Sequence, residues 1–295
     1  MSDYKKVRLV AIYVYISDLY EMELQYACQR FSNNSSPEFT DQELMTVYLF
    51  AIAEQRCFQV KQIHDFAQEY LHSWFPKLPS YQAFNNRLNR LSEAFKILVA
   101  GLITSFIPEN CDFEISLTDS MPVVTCKGKN RKARVASQMV DKGWCSAKNM
   151  YYYGLKLHLL AFRRPKTIPF PEFIGLSAAS ESDLTAFKEL FGDRVCNRTI
   201  FGDKIFFDKP YFDSKLAEQN LPIKLVKGES ECIRKREKAF RHMYSTAVSR
   251  VRQPVESFFN WLNEKTQIQN AQKVRSTKGL TVHVFGKLAA AFFNP

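Results

Sequence analysis

Ile115-Ser116-Leu117-Thr118-Asp119-Ser120-Met121-Pro122 is the stretch from which the rest of this chain can be read. The run Cys111–Leu117 is apolar and rich in strand-forming residues, and it delivers Asp119 at its end. Ser120 and Pro122 are expected to stop the strand there. A carboxylate at the tip of a buried strand is costly unless its charge is offset. A divalent cation is the commonest offset where phosphates are handled. Two further acids stand in comparable settings. Asp203 follows the short apolar run Thr199-Ile200-Phe201-Gly202, and Glu256 follows Arg252-Gln253-Pro254-Val255. Pro254 reads as the start of a helix, with Glu256 in the first turn, where the helix dipole favours a carboxylate.

The charge distribution supports a polyanionic partner. The net charge is +11, yet residues 1–110 hold 10 basic and 12 acidic residues against totals of 41 and 30. The remainder therefore holds 41 − 10 = 31 basic and 30 − 12 = 18 acidic residues, an excess of 13 in the half that carries the three acids. Nucleic acid is the first candidate; a solvated basic surface is the plain alternative.

Other chemistries lack their signatures. The seven cysteines are scattered, odd in number and never in a Cys-x-x-Cys pair, which argues against a disulfide framework and a zinc ribbon. The five histidines make no metal-ligand spacing, and no Gly-x-Ser-x-Gly elbow or phosphate-binding Gly-Lys loop occurs. His158 reads as a strand-face residue and Cys145 as a structural thiol. No apolar stretch reaches the roughly 18 residues that span a bilayer. The apolar run Leu9–Ile16 is interrupted by Tyr13 and Tyr15 and lacks a cleavage site. A cytoplasmic, reduced protein is expected.

Along the chain, residues 1–32 read as helical and Ser32–Pro37 as a polar linker. Thr40 and Glu43 form a capping box, and Phe39 and Leu44 a hydrophobic staple, for a helix through Leu44–Ala53. A second helix covers Val60–Tyr70. Ser80 caps a third, Tyr81–Leu91, in which Phe84, Leu88 and Leu91 make a core stripe. The opposite face shows Gln82, Asn85, Asn86, Arg87 and Arg90. Asn and Gln can pair with adenine and Arg with guanine, so this face is a candidate major-groove reader, or else a plain solvated face. From Cys111 the pattern turns to strands: Tyr151–Phe162 and Phe170–Ser177, then helix Asp183–Phe191, strand Thr199–Phe201, helix Tyr211–Gln219 and strand Pro222–Val226. Strands followed by alternating strand and helix predict a mixed α/β sheet covered by helices.

These residues resemble a family. Asp119-Ser120-Met121-Pro122, Tyr153-Gly154-Leu155-Lys156-Leu157-His158, Gly202-Asp203-Lys204, Arg252-x-x-x-Glu256-x-x-Phe259 and Arg275-Ser276-x-x-Gly279-Leu280 are similar to motifs of the DDE transposases of bacterial insertion sequences. Leu78-Pro79-Ser80-Tyr81-x-x-Phe84-x-x-Arg87-Leu88 matches one branch of them. The resemblance covers roughly residues 78–292. It implies an α/β ribonuclease H-like catalytic domain over 111–295, ending in a C-terminal helix; the change from helical to strand patterning near Cys111, with the change in charge balance, predicts an all-α domain over 1–110 before it. The resemblance implies Asp119, Asp203 and Glu256 as catalytic residues holding Mg²⁺, with Mn²⁺ as a substitute. It also implies DNA cleavage and strand transfer at the element's terminal inverted repeats, in a bacterial, nucleoid-associated setting. Phosphates of double-stranded DNA would be held by basic residues 127–134 and 234–241, and by Lys204 and Arg252. Within the two stretches the named contacts are Lys127, Lys129, Arg131, Lys132, Arg134, Arg234, Lys235 and Arg236. Two positions depart from the pattern. Ile205-Phe206-Phe207 replaces the Gly-Tyr that often follows Gly-Asp-Lys, and Asn263 stands where relatives place a Lys, with Lys265 nearby. A metal-dependent nuclease without strand transfer, and a DNA-binding protein with a decayed catalytic domain, are the competing readings. A homodimer, but no membrane partner, is compatible with the sequence.

Overall fold

The computed structural model describes residues 1–30, 37–129, 135–146, 148–223 and 231–293, apart from the side chains of 231–236. Ten helices and six strands lie within it. The chain separates into two compact units. One gathers Met1–Ser105, Val123–Val140 and Leu262–Pro295, and the other Phe106–Pro122 and Asp141–Trp261.

The first unit is helical: α1 (Asp3–Leu19), a π turn over Tyr20–Leu24 leading into α2 (Gln25–Cys28), α3 (Asp41–Gln55), α4 (Val60–Tyr70), α5 (Tyr81–Arg90), α6 (Ser92–Ser105) and α10 (Thr277–Phe292). Its centre is α3, buried continuously from Leu44 to Ala53. The capping box that starts α3 is complete. Glu43 N donates to Thr40 Oγ1 at 3.1 Å, and Thr40 N donates to Glu43 Oε2 at 2.5 Å. Such caps contribute about 1 kcal/mol. Phe39 and Leu44, the expected staple, are both buried. α10 is apolar almost all round and buried from Leu280 to Ala291, so it must be enclosed by other helices. It packs on α3 and α6. Gly286 permits that approach: a Cβ there would stand 2.6 Å from Tyr48 Cε1. The C-terminal helix thus joins the helices before residue 105, where the sequence reading placed it with the sheet.

The second unit is built on a mixed sheet with strand order β2-β3-β1-β5-β6 and β4 also paired to β3. The strands are β1 (Asp112–Lys127), β2 (Asp141–Cys145), β3 (Met150–Arg163), β4 (Phe170–Ala178), β5 (Thr199–Phe201) and β6 (Glu218–Asn220). β2 and β4 run antiparallel to β3, whereas β1, β5 and β6 are parallel. α7 (Asp183–Phe191) lies on β3 and β4. It presses Phe187 and Phe191 into a core with Leu160, Ile200, Phe206 and Phe212. Gly175 lets the helix close in, since a Cβ there would meet Leu190 Cδ1 at 2.6 Å.

Four local expectations are corrected. β1 does not stop at Ser120 but runs to Lys127. Its pairing with β5 covers only Ile115–Leu117, so the N–H that Pro122 lacks is not needed by that ladder. Pro254 does not begin a helix. It lies inside α9 (Glu231–Thr266), a 36-residue helix, where it removes one backbone donor without ending the element. Glu256 is therefore far from any helix N-terminus, and the dipole argument for it falls. The helix expected over Tyr211–Gln219 is α8 (Lys209–Ser214), capped by Asp208 and closed before the left-handed Leu216 (φ 52°). Its last residues form β6 instead. No regular strand covers Pro222 and Ile223, and the rest of the strand expected to Val226 lies outside the described residues.

Candidate active site

The register of β1 on β5 places the two aspartates. Leu117 is paired with Phe201. Asp119 follows two residues later within β1, and Asp203 two residues later in the turn just past the end of β5. Gly202 keeps the strand ends close: a Cβ there would lie 3.1 Å from both Thr118 Cγ2 and Phe206 Cδ2. Asp203 caps a single 3₁₀ turn, Lys204–Phe206, by accepting from Lys204 N at 2.7 Å. Asp119 Oδ1 accepts from Ser120 N at 2.8 Å.

The third acid arrives on α9. Arg252 and Glu256, one turn apart, share a face of that helix, and Arg252 joins them to Asp119 in β1. Arg252 Nη1 donates to Asp119 Oδ2 at 2.9 Å and Nη2 to Glu256 Oε1 at 2.5 Å. The remaining donor, Nε, is buried without a partner. Beside them, Ser245, Ser249, Arg250, Gln253 and Glu256 line an open polar groove along α9.

The electrostatics tie the three acids together. The Asp119 carboxyl is pushed up to about 6, first by burial and further by the charges of Asp203 and Glu256. The Ser120 N–H and the Arg252 guanidinium act in the opposite direction. Each neighbour that raises the value disfavours a second negative charge, the arrangement that a bound cation relieves.

A second layer fixes the backbone next to Asp119. Ser120 Oγ donates to Asp183 Oδ1 at 3.0 Å, and Lys156 Nζ lies 3.0 Å from the same oxygen while donating to Glu181 O at 2.6 Å. Further along β3, His158 Nε2 is bonded to Ser177 Oγ at 2.8 Å, and burial holds its imidazole down to about 4, hence neutral. The sequence reading of His158 as a strand-face residue agrees with this. It did not single out Lys156 or Asp183. The available signal was a lysine alternating with leucines on a buried strand, which needs a counter-charge.

Carboxylate oxygens are the donor set that a hard divalent cation takes. As they stand, no group of three His, Cys, Asp or Glu among the described residues is gathered to hold a metal ion. The guanidinium of Arg252 lies between two of the three acids. The donor chemistry fits Mg²⁺ or Mn²⁺ once that guanidinium moves aside.

The expected DNA contacts are distributed unevenly. Gln82, Asn86 and Arg90 are exposed on α5 and Asn85 is half-buried. Arg87 is not available on that face. Its guanidinium turns inward to Asp41 at 3.0 Å, beside the Arg30–Asp41 pair, and lies over the Phe39 ring. Lys127, Lys129 and Lys204 are exposed. Arg131, Lys132, Arg134 and the side chains of Arg234, Lys235 and Arg236 lie outside the described residues. Asn263 serves the end of α9, where its Oδ1 accepts from Gln269 N at 3.2 Å and its carbonyl from Gln267 N at 2.7 Å.

A mixed sheet flanked by helices, preceded by a helical segment, is the architecture of a ribonuclease H-like α/β domain. The chain belongs to the transposase DDE domain family, whose model matches residues 111–293, more than half its length. No curated protein and no solved structure matches it. No helix among the described residues is long and apolar enough to cross a membrane.

Proposed function

We propose that this chain is a DNA transposase that cuts the phosphodiester at the ends of its own element and joins the freed 3′-hydroxyl to target DNA. The observation that supports the reading is that Asp119 feels the charges of both Asp203 and Glu256, and that Arg252 bonds to Asp119 and Glu256 together.

In this reading Asp119, Asp203 and Glu256 hold Mg²⁺, or Mn²⁺ in its place. When bound, the ions supply an activated water and stabilise the leaving oxygen of an in-line displacement. The chain's residues prepare that event. Ser120 N–H fixes one oxygen of Asp119 and leaves the other to the shared site. The Lys156–Asp183–Ser120 chain holds the strand end in place. Arg252, released from the carboxylates, has a free planar fork for a phosphate. Exposed Lys127, Lys129 and Lys204 suit the duplex backbone, contacts that position without specifying sequence. Gln82, Asn85, Asn86 and Arg90 are the proposed base contacts at the terminal repeats, and Arg87 supports their helix from inside.

The test is incubation with supercoiled DNA carrying the element's terminal repeats, with and without Mg²⁺ or Mn²⁺. Nicking at the repeat ends followed by joining to a second DNA supports the reading. Nicking without joining favours a nuclease, and binding without nicking a decayed catalytic domain.

A further inference from the structure

α1 is apolar on two opposite faces. Leu9, Ile12, Ile16 and Leu19 are buried against the helical unit. On the far side Val7, Val10 and Val14 are 67%, 45% and 48% exposed. At 100° per residue these valines and Ala11 form a stripe roughly opposite the buried one. A helix with apolar residues on both sides belongs in a position enclosed from both sides. The stripe has charged ends of opposite sign. The row Lys6, Val10, Val14, Asp18 advances by four residues at a time and lines one open groove together with Val7 and Ala11.

We propose that this face pairs with the same face of a second copy, the two α1 helices running antiparallel across a two-fold axis. Reversing the row sets Lys6 against Asp18 of the partner subunit, and Val10 against Val14 of the partner subunit. The charge contact then forms twice by symmetry, the self-complementarity that an isologous interface requires. A parallel pairing would oppose like charges instead. Lys6 already meets Asp3 of its own helix at 2.8 Å, an exposed pair that leaves its charge available. The four-residue ridges are those that interlock in helix packing. One helix pair falls below the area of a standard stable interface, so the dimer is weak and depends on concentration. This inference does not depend on the chemistry at Asp119.

The test uses the full chain without DNA or metal, so its failure leaves the transposase reading untouched. Molar mass is measured by light scattering over a concentration series at low salt. The parent is expected to move from monomer to dimer. Lys6→Asp and Asp18→Lys each place like charges at both contacts and should weaken the dimer roughly tenfold. An equimolar mixture of these two variants should restore it, because every contact then pairs opposite signs. Val10→Glu should abolish it. Circular dichroism melting checks that the exposed substitutions leave the fold intact. A monomeric parent, or a dimer that ignores all three substitutions, overturns the proposal. Single variants that weaken the dimer without recovery on mixing overturn the antiparallel pairing.

Discussion

Arg252 reaches across 133 residues of sequence to hold Asp119, Nη1 to Oδ2 at 2.9 Å. The same guanidinium grips Glu256, so one residue satisfies two carboxylates that would otherwise repel. In the proposed reading it stands where a divalent cation would take the same oxygens. Arg252→Ala should therefore bind Mn²⁺ at least as tightly as the parent in titration calorimetry, while DNA cleavage falls. Markedly weaker Mn²⁺ binding would mean that the guanidinium organises the acids rather than blocking them.

The ion pair behind Asp119 is a stability element. Lys156→Met leaves Asp183 largely buried with its charge no longer paired, although Ser120 Oγ still donates to it. Breaking one side of such a pair costs about 3 kcal/mol. Urea unfolding should show that loss, and an unchanged midpoint would contradict the network's role.

On α5 the two kinds of residue separate in one experiment. Arg87→Ala strips a buried aspartate of one of its two arginines and should cost about 2 kcal/mol in stability. Gln82→Ala and Asn86→Ala should stay within about 0.5 kcal/mol of the parent, as exposed positions do. Their effect should appear in binding to the terminal repeats compared with unrelated duplex. Equal affinity for both DNAs, before and after substitution, would remove α5 as a reader.

The interior of the helical unit predicts a pH dependence. Burial pushes Lys287 down from 10.5 to about 7, with Nζ donating to Gln267 O at 3.2 Å. Between those values the unfolded chain carries a proton that the folded chain lacks, so stability rises with pH from about 7 toward 10.5. In Lys287→Met that rise should be absent. His283, held down to about 3 chiefly by burial, acts in the acid range. Its contribution falls away as pH drops from 6.5 toward 3. Thermal melts over roughly pH 4–10 cover most of both windows and read both effects.

What the sequence shows plainly here is local. The Thr40–Glu43 box, α7 at Asp183–Phe191 and β5 at Thr199–Phe201 all follow from caps and short apolar runs. The prolines mislead for the same reason. Pro122 and Pro254 carry local stop signals, but neither element ends there. Sheet pairing elsewhere spares Pro122's missing donor, and a long helix tolerates one lost bond. The acids of the candidate site can be picked out one at a time by local settings, of which that of Asp203 just past β5 holds, whereas Asp119 lies within β1 and Glu256 well inside α9. Their connection through Arg252, and the Lys156–Asp183–Ser120 chain behind them, depend on contacts between distant segments that no spacing encodes. The outward apolar stripe of α1 was visible as a run from Leu9 to Ile16, but which side faces the core emerges only from packing.

The most direct measurement compares the parent with Asp119→Asn on DNA bearing the element's own ends, reading Mg²⁺-dependent nicking and binding affinity together. The substitution removes a proposed metal ligand and a negative charge with almost no change of shape. The account predicts nicking by the parent, none by Asp119→Asn, and affinity unchanged or slightly higher in the variant. Cleavage by Asp119→Asn at the parent's rate, or no cleavage by the parent at its own ends, would contradict it.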